Sequence, residues 1–308
     1  MLRAFFISLS ESPSLRHVAE RSSLGQRISS RFVAGTQVED ALRAARTVNR
    51  SGLSVSVDNL GENVTNADEA RASAALYHQM LDSIASQHLD ANISLKLTHM
   101  GLDVDEKLAR DLVSGLVAKA AGMNPRNFVR IDMEGSPYTS RTLDFVHELH
   151  RVPSNKGCVG AVIQSYMRRS QSDVEKLLAE GIRIRLCKGA YKEPPDIAFQ
   201  EKSEVDASYV RLMKVLLKSG VYHGLATHDE KIIRAAITFA EQESIPPDSF
   251  EFQMLYGIRR DLQQELVRQG WRMRVYIPFG SEWYPYLMRR LAECPANALF
   301  IAKNLFRD

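Results

Sequence analysis

A (β/α)8 barrel of the α/β class is predicted for this 308-residue chain by three observations. Eight short β-type runs recur along it, and amphipathic stretches of helical period lie between them. Those stretches are long enough for the crossovers that parallel neighbours require. Eight such units fit within this length. A doubly wound sheet is the structural alternative. It would want a glycine-rich phosphate turn after an early strand, and neither GxGxxG nor GxxxxGK[ST] occurs.

Residues 1–34 read as an N-terminal helical arm, with apolar residues at Leu2, Phe5, Phe6 and Leu9 and then at Leu15, Val18, Leu24 and Ile28. Residues 35–308 read as the barrel. From Val38 the alternation begins. The β-type runs are Leu53–Val57, Asn92–Leu97, Asn127–Met133, Val159–Gln164, Ile182–Cys187, Val221–Ala226, Phe250–Leu255 and Arg272–Ile277. The helical stretches between them include Asp68–His88, Asp105–Ala121, Ser140–Leu149, Ser172–Ala179, Ala198–Ser219, Asp229–Glu243 and Arg260–Gln269. Asp229 and the serines at the head of the Ser172–Ala179 stretch are start signals. Gly122, Gly181, Gly220 and Gly270 are stop signals.

Composition narrows the classes. Hydrophobic residues make up 44% and charged ones 25%, as in ordinary globular domains. Lys+Arg 40 against Asp+Glu 37 gives +3, too balanced for a nucleic-acid binder. Three scattered cysteines, Cys158, Cys187 and Cys294, form no CxxC pair, so neither a disulfide frame nor a metal site is indicated. A reducing, cytoplasmic setting follows, and the sequons at Asn63 and Asn92 are then accidental. The apolar run near the start is too short for a signal peptide or a spanning helix.

Strands covered on both faces should be apolar throughout, yet these alternate. The polar sets are Ser54, Ser56 and Asp58; Ser94, Lys96 and Thr98; Arg130, Asp132 and Glu134; Arg183 and Arg185; Glu251 and Gln253; and Arg272, Arg274 and Tyr276, with Gln164 closing the fourth run. Successive side chains point to opposite faces. The apolar parity must face the outer helices, where each buried Leu, Ile or Val stabilises by about 1.5–3 kcal/mol. The polar parity therefore points into the barrel, where ionic groups pair with each other, meet water or meet a polar ligand.

Barrel enzymes keep their sites at the C-terminal ends of the strands. The fifth run ends in Arg185-Leu-Cys-Lys188-Gly189-Ala190-Tyr191, the sixth in Ala226-Thr227-His228-Asp229 and the seventh in Gln253-Met-Leu255-Tyr-Gly257. Lys188 alone reads equally as a surface lysine before a turn, and His228 as a base, a ligand contact or a satisfied loop histidine. In a final helix over roughly Glu282–Cys294, Tyr286, Arg289, Arg290 and Glu293 share one face. That face is either solvated or, held near the barrel mouth by the short Pro278-Phe-Gly280-Ser loop, a receptor for a small carboxylate. Arginine matches a carboxylate bidentately, which lysine cannot do.

Taken in order, Arg185–Tyr191, Ala226–Asp229, Phe252–Gly257, Tyr276–Gly280 and Tyr286–Glu293 resemble proline dehydrogenases of the monofunctional bacterial, FAD-dependent kind, over about Gly35 to Leu305. The resemblance implies a distorted TIM barrel with its last helix over the mouth and FAD at the strands' C-terminal ends. It implies oxidation of L-proline to Δ1-pyrroline-5-carboxylate, with the reduced flavin reoxidised by a membrane quinone. It places the substrate against Lys96, Asp132, Leu255, Tyr276, Tyr286, Arg289, Arg290 and Glu293. It places the flavin against Gln164, Arg185, Lys188, Gly189, Ala190, Tyr191, Thr227, His228 and Gln253. No acid or base for the substrate amine is named by it. Cys294 departs from the pattern, since close relatives are expected to carry a basic residue after the glutamate. With no aldehyde dehydrogenase segment following, the product is expected to pass to a separate pyrroline-5-carboxylate dehydrogenase. Contact with the membrane is expected to be peripheral, and the Phe5/Phe6 patch is a candidate membrane or lid element. Two other readings stay open: a Schiff-base aldolase using Lys188 or Lys96 as nucleophile, and a non-enzymatic binding or regulatory barrel.

Overall fold

Eight parallel strands hydrogen-bond in sequence order and close into a barrel in the computed structural model, which describes residues 22–293. The strands are β1 (Ser54–Asn59), β2 (Ala91–Leu95), β3 (Val129–Ile131), β4 (Val159–Gln164), β5 (Arg183–Cys187), β6 (His223–Ala226), β7 (Phe250–Leu255) and β8 (Met273–Phe279). Helices α1 (Ser23–Phe32) and α2 (Val38–Asn49) precede the barrel. The crossovers are α3 (Ala67–Ser86), α4 (Glu106–Gly122), α5 (Ser136–Arg151), α6 (Ser170–Ala179), α7 (Lys202–Lys218), α8 (Glu230–Gln242) and α9 (Arg260–Arg268), and α10 (Trp283–Glu293) follows β8. The Phe5/Phe6 patch and Cys294 lie outside the described residues, as do the side chains of Arg289, Arg290 and Glu293 within α10.

Helix boundaries follow local chemistry. Asp229 caps α8, its carboxylate accepting from the Lys231 amide at 3.1 Å. Asn66 and Asp105 do the same for α3 and α4. Gly181, Gly220 and Gly270 adopt positive φ just after α6, α7 and α9, where a left-handed residue ends a helix. Two expectations need correction. Gly122 is the last helical residue of α4 rather than a stop beyond it. Helix α6 starts at Ser170, not Ser172, because the Ser170 hydroxyl bonds back to the Gln164 carbonyl at 2.6 Å and draws the chain into the helix earlier.

The strand alternation sorts as its parity dictates. Val55, Val57, Ile93, Leu95, Ile131, Ile184, Leu186, Phe252 and Ile277 are fully buried in the main core, between the sheet and the helix ring. The register aligns Ser56 with Asn92 and Tyr276, Ser94 with Arg130, and Gly224 with both Arg185 and Glu251. One contiguous set of inward positions results.

The lower part of this interior is self-satisfied. Arg274 Nε bonds Glu251 Oε1 at 2.7 Å, and its Nη1 donates to the Val55 carbonyl at 2.6 Å. Tyr222 and Gln253 donate to the same glutamate. Burial pushes the Glu251 carboxyl up, but the Arg274 guanidinium and the hydrogen bonds from Arg274, Gln253 and Tyr222 together outweigh it and hold the group below its ordinary value. Arg130 donates to the Ala161 and Arg183 carbonyls, and the Arg130 and Arg183 guanidiniums both lie over the Phe128 ring. Replacing Glu251 by Ala strands a buried guanidinium. The variant is expected to lose about 3–5 kcal/mol of stability, read as a lower urea midpoint at unchanged slope.

Candidate active site at the barrel mouth

The upper part of the interior is organised around Arg185 on β5. Its Nη1 bonds Asp132 Oδ1 at 2.7 Å, its Nε bonds Gln253 Oε1 at 2.5 Å, and its Nη2 reaches Ser56 Oγ at 3.1 Å. Groups from β1, β5 and β7 and from the end of β3 are thereby drawn to one point. The guanidinium lies 5.2 Å from the centre of the Tyr276 ring, and the Tyr276 hydroxyl donates to Asp132 Oδ2 at 3.0 Å. Asp132, Arg185, Gln253 and Tyr276 are thus one bonded group.

Lys96, just past the end of β2, forms the second focus. Its ammonium stands 3.7 Å from Asp58 Oδ2 and 3.8 Å from Glu62 Oε1. Burial pulls the amine's pKa down, but the carboxylates of Asp58, Glu62 and Asp132 outweigh it and hold the group above its usual value. Asp58 shifts upward because burial exceeds the help from Lys96. Its Oδ1 accepts from Tyr77 at 3.2 Å, while Oδ2 has no hydrogen-bond partner among the described residues. A firmly protonated Lys96 is not the lowered-pKa amine that Schiff-base chemistry requires.

The rim at β4 to β7 is held by short local bonds. Gln164 donates to the Glu134 carbonyl at 3.0 Å, and Glu134 itself accepts from the Thr98 hydroxyl and amide. His228 Nε2 accepts from the Leu255 amide at 3.0 Å, so in the neutral ring Nδ1 carries the proton. The Thr227 amide donates to the Gln253 carbonyl. Lys188 sits between Asp206 and Asp229, at 2.6 and 2.9 Å. Gly189 has φ +112°, and a Cβ there would strike the Tyr166 ring at 2.2 Å, so this turn requires glycine. Ala190 and Tyr191 continue the same loop.

Helix α10 starts at this rim. A Cβ at Gly280 (φ +124°) would lie 2.8 Å from Asn59 Oδ1, which puts the turn before α10 against the end of β1. Leu60, one residue past β1, packs with Val33, Trp283, Tyr284, Tyr286 and Leu287. Tyr286 is buried in that cluster together with Leu287, although helical period alone sets the two on different faces. The segment after α1 supplies the cover that buries both, with Ala34 donating to the Pro278 carbonyl and Gly280 to that of Gly35.

The bonded groups at the mouth include Lys96, Asp132, Gln164, Arg185, Leu255, Tyr276, Thr227, His228 and Gln253. Sequence reading missed Glu62, Tyr77 and His99. Glu62 could have been found, since it follows the first strand's C-terminal end. Tyr77 lies on the apolar face of α3 and carries no local signal. His99 is buried, and burial and then Lys96 push its pKa down to about 4.

The family model described as proline dehydrogenase matches residues 41–303. The chain belongs to the proline dehydrogenase family. Proline dehydrogenase 1 of Bacillus subtilis subsp. natto is 39% identical over 308 residues, covering 100% of both chains. Proline dehydrogenase of Deinococcus radiodurans is 35% identical, over 100% of this chain and 98% of its own. Among solved structures, proline utilization A (PutA) from Bdellovibrio bacteriovorus inactivated by N-propargylglycine superposes with a TM-score of 0.81 at 27% identity. The match covers 87% of this chain and 33% of that one.

A pH dependence follows from two buried rings. His99 is shifted to about 4, and burial, then Arg130, brings His223 to about 3. In the unfolded chain both titrate near 6.5. Below that value the unfolded state binds protons that the folded rings refuse, so stability falls as pH falls toward about 4. Denaturant midpoints measured across this window are expected to drop on acidification, and less steeply in His223→Gln.

Proposed function

We propose that this chain oxidises L-proline to Δ1-pyrroline-5-carboxylate with FAD held non-covalently at the barrel mouth. The observation that carries the reading is the Arg185 group, a guanidinium bonded to Asp132, Gln253 and Ser56 beside Tyr276. The donors around it fit a flavin. Arg185 and Lys188 are cations, and Gln164 and Gln253 carry amides on β4 and β7, the strands that flank β5 and β6. Among the described residues the buried Asp58 Oδ2 and Ser94 Oγ have no hydrogen-bond partner, which leaves polar capacity in the interior.

When bound, the flavin supplies a hydride acceptor at N5 for the hydrogen on proline C5. The protein's residues do the rest. Arg185, Lys188, Gly189, Ala190, Tyr191, Gln164, Thr227, His228 and Gln253 would hold the cofactor. Arg185 would stabilise negative charge gained on reduction, because a fixed cation in a buried site needs no reorganisation. Arg289, Arg290 and Lys96 would clamp the substrate carboxylate, with Glu293 orienting the arginine pair. Lys96 enters that role protonated, held so by Asp58 and Glu62. Leu255 and Tyr276 would wall the substrate ring and exclude water, with Tyr286 beside them. Asp132 fixes the Tyr276 hydroxyl and so the angle of that wall.

In this reading the chain divides into residues 1–34 and a catalytic part of residues 35–308, and the described end of the first part packs on α10 through Val33. Electrons leave to a quinone at a membrane surface through peripheral contact, and the product passes to a separate pyrroline-5-carboxylate dehydrogenase. Among the described residues no helix is long and apolar enough to cross a membrane. The setting proposed is cytoplasmic.

The purified protein is expected to be yellow, with flavin absorbance bleached anaerobically by L-proline; a colourless protein that borohydride traps with a carbonyl substrate would reverse the reading. Arg289→Ala and Arg290→Ala are each expected to raise KM for proline roughly ten- to hundredfold, the scale of one or two charge-assisted hydrogen bonds, with FAD retained. Arg185→Ala should weaken FAD retention or lower the flavin potential, as a redox titration would read.

A further inference from the structure

The loop from β5 to α7 carries Lys188, Gly189, Ala190 and Tyr191 and then runs past the turn after β4 to the start of α5 before α7 begins at Lys202. Both its ends are fastened to the chain just after β4. Tyr166 donates its amide to the Lys188 carbonyl at 2.9 Å. Further on, Arg168 bonds the Ile197 carbonyl through its amide and the Pro195 carbonyl through its side chain, and Phe199 donates to the Tyr166 carbonyl. Between these anchors Glu193 makes a contact of another kind. Its Oε1 accepts from the Ser136 amide at 2.7 Å and its Oε2 from the Ser136 hydroxyl at 2.6 Å.

Ser136 is the first residue of α5, which runs for 16 residues and has no side-chain cap from its own Gly135. A carboxylate there satisfies an otherwise unpartnered amide and meets the positive end of the helix. The same corner abuts Tyr191. A Cβ at Gly135 would stand 3.5 Å from Glu193 Oε1 and 3.9 Å from Tyr191 Cδ1, so both lie against this backbone. Gly135 directly follows Glu134, whose carbonyl receives Gln164 and whose carboxylate holds Thr98. A series of bonded contacts therefore runs from the β5–α7 loop to the strand end that carries Asp132.

We propose that Glu193 is a positioning residue: its carboxylate, seated on the α5 N-terminus, latches the β5–α7 loop at the rim of the mouth and holds Gly189, Ala190 and Tyr191 against the flavin. The latch rests on the flavin reading above. It touches neither substrate nor cofactor and acts by limiting how far the loop can open.

The test uses the full flavin-loaded chain. Flavin release on dilution is followed by the rise in free-flavin fluorescence, and amide hydrogen exchange is followed in parallel. Glu193→Ala, which loses both bonds to Ser136, is expected to release flavin roughly ten- to hundredfold faster, the scale of one or two charge-assisted hydrogen bonds. Glu193→Gln, which keeps an acceptor oxygen, should fall between it and the wild type. Exchange should rise at Ser136 and over residues 188–193 and stay unchanged in the strands. Two results would overturn the latch: wild-type release in Glu193→Ala, or exchange raised evenly through the barrel, which marks general destabilisation. A wild-type chain that binds no flavin defeats the functional reading and the latch together, whereas a loaded wild type with an indifferent Glu193→Ala defeats the latch alone.

Discussion

A guanidinium buried inside a parallel barrel must be given partners, and Arg185 draws them from around the ring. Removing such a charge from water costs several kcal/mol unless hydrogen bonds replace its hydration. Asp132, Gln253 and Ser56 supply these bonds, and each comes from a different strand or strand end. The demand of one side chain thereby fixes the relative placement of β1, β3, β5 and β7 at the mouth. Tyr276 is set by the same constraint, through its ring near Arg185 and its hydroxyl on Asp132.

The interior is graded along its axis. Toward the strands' N-terminal ends, Arg274 and Glu251 neutralise each other and Arg130 is spent on main-chain carbonyls. Toward the C-terminal ends the pairing is looser around Lys96. It stands nearly 4 Å from each of its carboxylates, and among the described residues Asp58 Oδ2 has no hydrogen-bond partner. Closed pairs brace the barrel, and open ones leave capacity for a ligand. The same carboxylates that loosely surround Lys96 keep it charged. That suits a role in binding an anion and removes it as an amine nucleophile.

The mouth is finished by segments outside the sheet. The stretch after α1 fastens to the Pro278–Gly280 turn by main-chain bonds and helps to bury the first turns of α10. The β5–α7 loop is fastened to the neighbouring strand–helix units at Tyr166, Arg168 and Ser136. Both work by restricting where a surface element can go, since the regular sheet alone leaves loops free.

Sequence by itself determined the eight strands, their parallel order and which parity faces inward. Alternation in Val129-Arg-Ile-Asp and Phe250-Glu-Phe-Gln is a local pattern with a period of two, and burial of the apolar half leaves no choice of face. It also marked Lys96, Asp132, Arg185, Gln253 and Tyr276 as inward groups, and the family motifs marked the rim. Tertiary structure alone decided which of those charges are spent on each other. Whether Arg274 meets Glu251 or a ligand depends on distances across the barrel, and no spacing along the chain encodes them. Likewise Tyr77 reaches Asp58, and Glu193 reaches Ser136, only after separate strand–helix units dock. Tyr286 and Leu287 are buried together because another segment covers both sides of the helix, which period alone does not reveal.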